Sequence, residues 1–141
     1  MSLRKETYRE LVKGIDINSI NIHSLNISSI NKKLKDSKAI DINQEFDSSE
    51  YIIEEDKLEV YPKFNIKACE RDNPKEIGFE IEFTYCIEYT KTELDKFDEA
   101  YIKFFTERNV PVNIWPYARE LISSLTTRMG YPTLIIEPLT V

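Results

Sequence analysis

The run from Ile77 to Tyr89 constrains the fold more than any other part of the chain. Ile77, Phe79, Ile81, Phe83, Tyr85, Ile87 and Tyr89 fall on every second position, with Glu80, Glu82 and Glu88 between them and Glu76 just before. A period of two puts the apolar side chains on one face of a strand and the carboxylates on the other, so this strand needs a covered face and a solvated one. The preceding segment supplies a partner. Leu58, Val60, Phe64, Ile66 and Ala68 share one face of a strand, with Pro62 marking an edge or a bulge. Arg71-Asp72-Asn73-Pro74 is a turn signal. A hairpin centred on Asp72 and Asn73 places Ile66 opposite Phe79, Lys63 opposite Glu82 and Lys57 opposite Glu88, pairing apolar with apolar and cation with anion. It also sets Cys69 opposite Glu76, too far along the ladder from Cys86 for a disulfide.

Two more strands precede this hairpin. Ile40, Ile42 and Phe46 begin one that runs toward Ile52 or Ile53, followed by a polar turn at Glu54 to Asp56. From Ile15 to Ile30 the apolar spacing alternates between two and three, at Ile15, Ile17, Ile20, Ile22, Leu25, Ile27 and Ile30. Each extra residue would flip the face of a regular strand, so a bent or bulged strand is expected. A short helix is expected over Ser2 to Lys13, capped by Ser2 and stopped by Gly14. After the strands, helical stripes predict helices over about residues 92–108 and 116–129. Thr92 and Asp95 would cap the first, Asn109 and Pro111 would end it, and Gly130 and Pro132 would end the second. Strands over about residues 15–90 followed by helices make an α+β fold, a four-stranded antiparallel sheet with helices packed on one side, in a single domain over residues 1–141.

Composition narrows the function. A formal charge of -6 disfavours phosphate backbones and anionic membranes as partners. No stretch is apolar for the length a bilayer crossing needs, and the charged N-terminus leads into no apolar segment, so a cytoplasmic protein is expected without membrane insertion.

Chemistry is hard to find. Glu80 and Glu82 share a face and could act as an acid/base pair, but a solvated acidic face explains them better. His23 is the only histidine, too little for a triad or a complete zinc site. Cys69 and Cys86 lack a basic neighbour or helix N-terminus that would activate a thiol. No phosphate-cradling glycine motif occurs. No catalytic residue, metal site or cofactor is expected. Seven phenylalanines, eight tyrosines and Trp115 are, however, more than a half-covered sheet needs for its core, and surplus apolar surface marks an interface.

The segment from Val112 to Val141 carries a resemblance. Trp115-Pro116-Tyr117-Ala118-Arg119-Glu120 opens a helix that ends in Thr127, Arg128 and Gly130, and Tyr131-Pro132 then leads to an apolar stretch with Pro138. This pattern resembles the SecB family of bacterial export chaperones. The resemblance implies a SecB-like sheet, a homotetramer built as a dimer of dimers, and an ATP-independent, non-enzymatic chaperone for non-native polypeptides, acting in protein export. It also implies a further helix beyond the position of Val141, and acidic sheet residues that meet the SecA ATPase. Glu80 stands about where one such acid would be, while Leu25 to Ile30 carries none. Some SecB-like chaperones serve toxin–antitoxin systems, so a dedicated antitoxin is the alternative client. A structural oligomeric scaffold is the alternative of a different class.

Three groups of residues are expected to carry these roles. Ile42 and Phe46, with Phe79, Ile81 and Phe83, would form the substrate-binding apolar rows. Glu80 and Glu82 would meet a basic partner. Ala118, Leu121, Ile122 and Leu125, with the small Ser123 and Ser124 among them, would form the oligomer interface.

Overall fold

The structure is a computed structural model describing residues 3–28, 30–34 and 40–139. Its elements are helix α1 (Lys5–Val12), strands β1 (Asp16–Ser28), β2 (Ile40–Asp47), β3 (Tyr51–Glu54), β4 (Lys57–Val60), β5 (Lys63–Glu70) and β6 (Asn73–Thr90), and helix α2 (Glu99–Arg128). Short 3-10 turns lie at Lys32–Leu34 and Leu94–Lys96. This is the expected α+β arrangement.

All strand pairings are antiparallel, and β6 is their spine. β1 runs along one side of β6. β4 and β5 follow one another along the other side in a single register, parted only at Tyr61 and Pro62. β3 and β2 lie outside them. The six segments therefore make a sheet four strands wide. Pro62 has no N–H for the ladder, which breaks the strand there, while its carbonyl still accepts from the Tyr85 N–H at 3.0 Å.

The expected hairpin register is shifted by two residues. Ile66 opposes Ile81, Lys63 opposes Thr84 and Lys57 opposes Thr90. An even shift leaves the side chains from Lys57 to Ala68 on their expected faces, and Lys57 still reaches Glu88 diagonally at 3.1 Å. The slack is taken up near the turn, where Ala68 opposes Phe79 but Cys69 opposes Ile77, leaving Gly78 unpaired between them. Both cysteines are free.

β1 is bulged as its spacing demanded. Its register steps between Ile17 and Ser19 and again between Ile22 and Ser24. Each step absorbs one extra residue, so Ile17, Ile20, Ile22, Leu25 and Ile27 all point the same way, opposite Tyr89, Ile87, Tyr85, Phe83 and Ile81.

The two helices expected over residues 92–108 and 116–129 are one. α2 spans thirty residues and holds both Pro111 and Pro116. Each proline removes one N–H, and the carbonyls deprived of it belong to Glu107 and Val112, both exposed residues. Burial of Val110, Ile114, Trp115, Ala118 and Ile122 against the sheet outweighs those two bonds. The helix also starts later than the Thr92 cap predicted. Glu93 takes a left-handed conformation, φ 58°, and turns the chain so that Leu94 and Phe97 are buried before the helix begins.

α1 packs on the first half of α2 through an edge-to-face contact of Tyr8 with Phe104, centroids 4.8 Å apart. Arg4 holds the N-cap position, and the expected cap Ser2 lies outside the described residues. At the other end the Lys91 ammonium donates to the Glu10 carbonyl at 2.7 Å and to that of Lys13, where Gly14 turns the chain at φ 78°.

Candidate functional site

The helix-facing side of the sheet is built in cross-strand rows. Phe46, Phe64, Phe83 and Leu25 form one row, from β2 across to β1, and Ile42, Ala68 and Phe79 form another. α2 covers the middle of the first row, and Tyr131, just after it, packs on Phe79 of the second. Phe64 stacks on Phe83 at 4.8 Å, and Trp115 of α2 meets both Phe64 and Phe46. Phe79, Ile81 and Phe83 are 3%, 0% and 1% exposed, so these three residues, expected to meet substrate, are core. The strand period showed their face but not that α2 lies over it.

The ends of the rows are different. On β2, Ile42 is 40% exposed and Phe46 is half-buried. Ile40, Ile42 and the rim of Phe79 line a cleft of about 230 Å³ with Tyr131, Pro132, Thr133 and Leu134. Among the described residues β2 pairs only with β5, so its outer edge there presents backbone donors and acceptors beside this cleft.

The far wall is the segment after α2. Trp115 Nε1 donates to the Glu137 carbonyl at 2.7 Å, Arg119 Nε to the Ile136 carbonyl at 2.9 Å, and the Leu134 N–H to Thr126 Oγ1 at 3.0 Å. Ile136 is buried beneath these straps. Tyr131 fixes the start of the wall, its hydroxyl donating to the Gly78 carbonyl at 2.8 Å and lying against the Asn31 carbonyl. The residues of the Trp115–Glu120 and Tyr131–Pro132 motifs therefore hold the wall in place. Tyr131, Pro132, Leu134 and Ile40 were not among the expected site residues. For Tyr131, Pro132 and Leu134 the signal was the motif itself, which sequence reasoning read as a signature rather than as a wall, and for Ile40 it was the alternation of β2.

The opposite sheet face is polar. Asn65 Nδ2 donates to Glu80 Oε2 at 2.9 Å and to Glu82 Oε1 at 2.8 Å, and Lys67 stands 4.0 Å from Glu80. The two expected partner-binding acids thus lie together, half-buried and already engaged. Asn18 and Lys57 bind Glu88 and hold its carboxyl below the usual range. Burial pushes the Cys86 thiol up, with the nearby Glu59 carboxylate adding to the effect, so it is not an activated nucleophile. His23 stacks edge-on against Tyr61 at 5.0 Å. Among the described residues no group of three or more His, Cys, Asp or Glu is placed to hold a metal ion, and no helix is long and apolar enough to cross a membrane.

Of the expected interface residues, Ala118 and Ile122 are 0% exposed and have no surface to offer a second copy. Their side of α2 faces the sheet. Leu121 and Leu125 are half-buried, and Tyr117 is 47% exposed. Tyr117 packs against Tyr85, which in turn opposes Ile22 of β1. Ile17, Ile22 and Leu25 are 45%, 48% and 42% exposed along that strand. A second apolar surface therefore runs from β1 onto α2, on the side away from the cleft.

A sequence model of SecB, the preprotein translocase subunit, matches residues 10–140. The protein-export protein SecB of Hydrogenovibrio crunogenus is 43% identical over 42 residues, a stretch covering 30% of this chain and 28% of that protein. Among solved structures, the Mycobacterium tuberculosis Rv1957 SecB-like chaperone, in complex with a ChAD peptide from the Rv1956 HigA1 antitoxin, superposes with a TM-score of 0.82. That likeness covers 97% of this chain and 99% of that one at 15% identity, and it is a likeness of fold.

Proposed function

The chain belongs to the SecB family, whose members are non-enzymatic chaperones, and from that premise we propose that it captures non-native polypeptide segments in the cleft beside β2. The observation that carries this reading is the conjunction of exposed Ile42, the apolar wall from Tyr131 to Leu134, and the open edge of β2. An extended client can add backbone hydrogen bonds along the edge and bury its apolar side chains in the cleft. Each ~100 Å² of apolar client surface buried contributes about 2.5 kcal/mol before the costs of association, so a few contacts give micromolar binding with little sequence preference. Capture of this kind needs no nucleotide or cofactor, and we place it in the cytoplasm.

Two kinds of client suit this capture, a precursor for export and an antitoxin. The segment of sequence identity is shared with a protein-export protein, and the whole-chain likeness of fold is to a chaperone bound to an antitoxin peptide. Either client would offer the cleft a short segment of non-native chain. The β1 surface favours assembly with further copies, and we propose a homotetramer in which Tyr117, Leu121, Ile22 and Leu25 take the place of Ala118 and Ile122. Asn65 holds the Glu80 and Glu82 carboxylates and Lys67 stands beside Glu80, which disfavours docking of SecA there.

The test is suppression of aggregation of a chemically unfolded model protein by wild type and by Ile42→Ser. The substitution is expected to leave circular dichroism unchanged and to lower suppression severalfold. Unchanged suppression by a folded variant would move the site elsewhere.

A further inference from the structure

A second cleft lies where α1 crosses α2. Leu3, Arg4, Lys5, Tyr8, Arg9 and Phe104 line a space of about 480 Å³. Its floor is apolar, formed by half-buried Leu3, Tyr8 and Phe104. Burial lifts the Tyr8 phenol to about 12 against the opposing pull of Arg108, so the ring adds no negative charge. Its hydroxyl is turned to Asn109 Oδ1.

The rim is cationic. Arg4, Lys5 and Arg9 are exposed, and the Arg108 guanidinium stands 5.0 Å from the centre of the Phe104 ring. Lys57, Lys67, Arg71 and Lys96 each find a carboxylate within 4.0 Å, but among the described residues Arg4, Lys5, Arg9 and Arg108 find none. Of the two acids on α1, Glu10 is taken by Lys96 at 3.8 Å, while Glu6 lies in the first turn, beside Lys5, as the one acid of the helix on this side. A chain of net charge -6 thus gathers four unpaired cations around one apolar hollow.

We propose that this cleft docks an acidic peptide segment of a partner protein. An apolar side chain of that segment enters between Leu3, Tyr8 and Phe104, and its carboxylates meet Arg4, Arg9 and Arg108. Arginine forks suit carboxylates in two-bond geometry. The cleft is concave and sized for one or two side chains, whereas a bilayer would require a flat apolar face and would be repelled by the acidic remainder of the surface. Arg108 and Thr126 are about 27 Å apart along α2 at ~1.5 Å per residue, so this site and the client cleft can be filled together. The inference does not rest on the proposed client site.

The experiment uses a fluorescein-labelled peptide of alternating Glu/Asp and Leu/Phe, its Gln/Asn counterpart, and phosphatidylglycerol vesicles, followed by anisotropy and co-sedimentation. Wild type is expected to bind the acidic peptide in the micromolar range, less tightly as salt rises and more tightly than the Gln/Asn peptide, which only the client cleft can take, and to ignore the vesicles. The exposed double substitution Arg9→Glu with Arg108→Glu should weaken binding at least about tenfold, and Ile42→Ser should not change it. If the reversal disturbs the circular dichroism spectrum, Arg9→Gln with Arg108→Gln carries the same test. Equal binding of the neutral peptide, insensitivity to the arginine substitutions, loss with Ile42→Ser, or binding of vesicles in place of peptide would each overturn the proposal.

Discussion

The Tyr131 hydroxyl donates to the Gly78 carbonyl at 2.8 Å, joining two residues 53 positions apart. The Asn31 N–H donates to the same carbonyl at 2.7 Å. Gly78 sits where the β5–β6 register steps, and a Cβ there would lie 3.2 Å from the Tyr131 oxygen. One unpaired position in the sheet is thus the anchor for the cleft wall.

Tyr131→Phe removes that anchor without removing the ring, which packs edge-on against Phe79 at 4.9 Å. Because Asn31 still satisfies the Gly78 carbonyl, the expected loss is about 1 kcal/mol in urea unfolding, with client binding weakened as the wall loosens. A stability loss with client affinity unchanged would mean that the wall does not shape the site.

Pro116 is an exposed residue inside α2, where it removes one ladder hydrogen bond. Pro116→Ala is expected to raise the thermal midpoint, with a gain on the order of 1 kcal/mol once side-chain losses are counted. A lowered midpoint would show that the proline sets a bend on which the packing of Trp115 and Ala118 depends.

The pH dependence of stability should carry the mark of Glu88. Its folded pKa is depressed below the ordinary 4.5, first by the Asn18 hydrogen bond and then by Lys57. A depressed carboxyl contributes stability that is full above its unfolded pKa and is lost as pH falls through the folded value. Thermal midpoints below pH 4.5 should therefore fall less steeply for Glu88→Gln than for wild type. Identical slopes would remove Glu88 from the account. Cys86, with its thiol pushed up, should react with iodoacetamide at neutral pH more slowly than free cysteine.

Ile22→Glu with Leu25→Glu places charge on the exposed β1 row. Light scattering of wild type at micromolar concentration is expected to give about four subunits. The double variant should give fewer with unchanged circular dichroism. A monomeric wild type would contradict the proposed assembly, and an intact tetramer in the variant would move the interface off β1.

The sheet was legible in the sequence because a period of two is unambiguous when one face is buried. The alternation from Ile77 to Tyr89 gave its spine, and the two-or-three spacing of the isoleucines gave the bulges of β1. Neither pattern reports what lies over the rows, so Phe79, Ile81 and Phe83 could not be told from Ile42. The helix boundaries failed for another reason. Asn109, Pro111 and Pro116 are local stop signals, and tertiary burial of Val110, Ile114 and Trp115 overrides them. The cleft wall was out of reach because Tyr131 and Gly78 meet only after folding. The small and aromatic residues of the α2 motif pointed to an interface, but the buried side of that helix is occupied by the protein's own sheet.

The central claim, capture beside β2, is tested most directly by hydrogen–deuterium exchange on the wild-type protein with and without a permanently unfolded, reduced and alkylated client. Protection is expected along Ile40–Asp47 and Tyr131–Leu139, with β1 and the polar face around Glu80 and Glu82 unchanged. Binding of the client without protection of β2, or with protection confined to β1 or to the polar face, would contradict it.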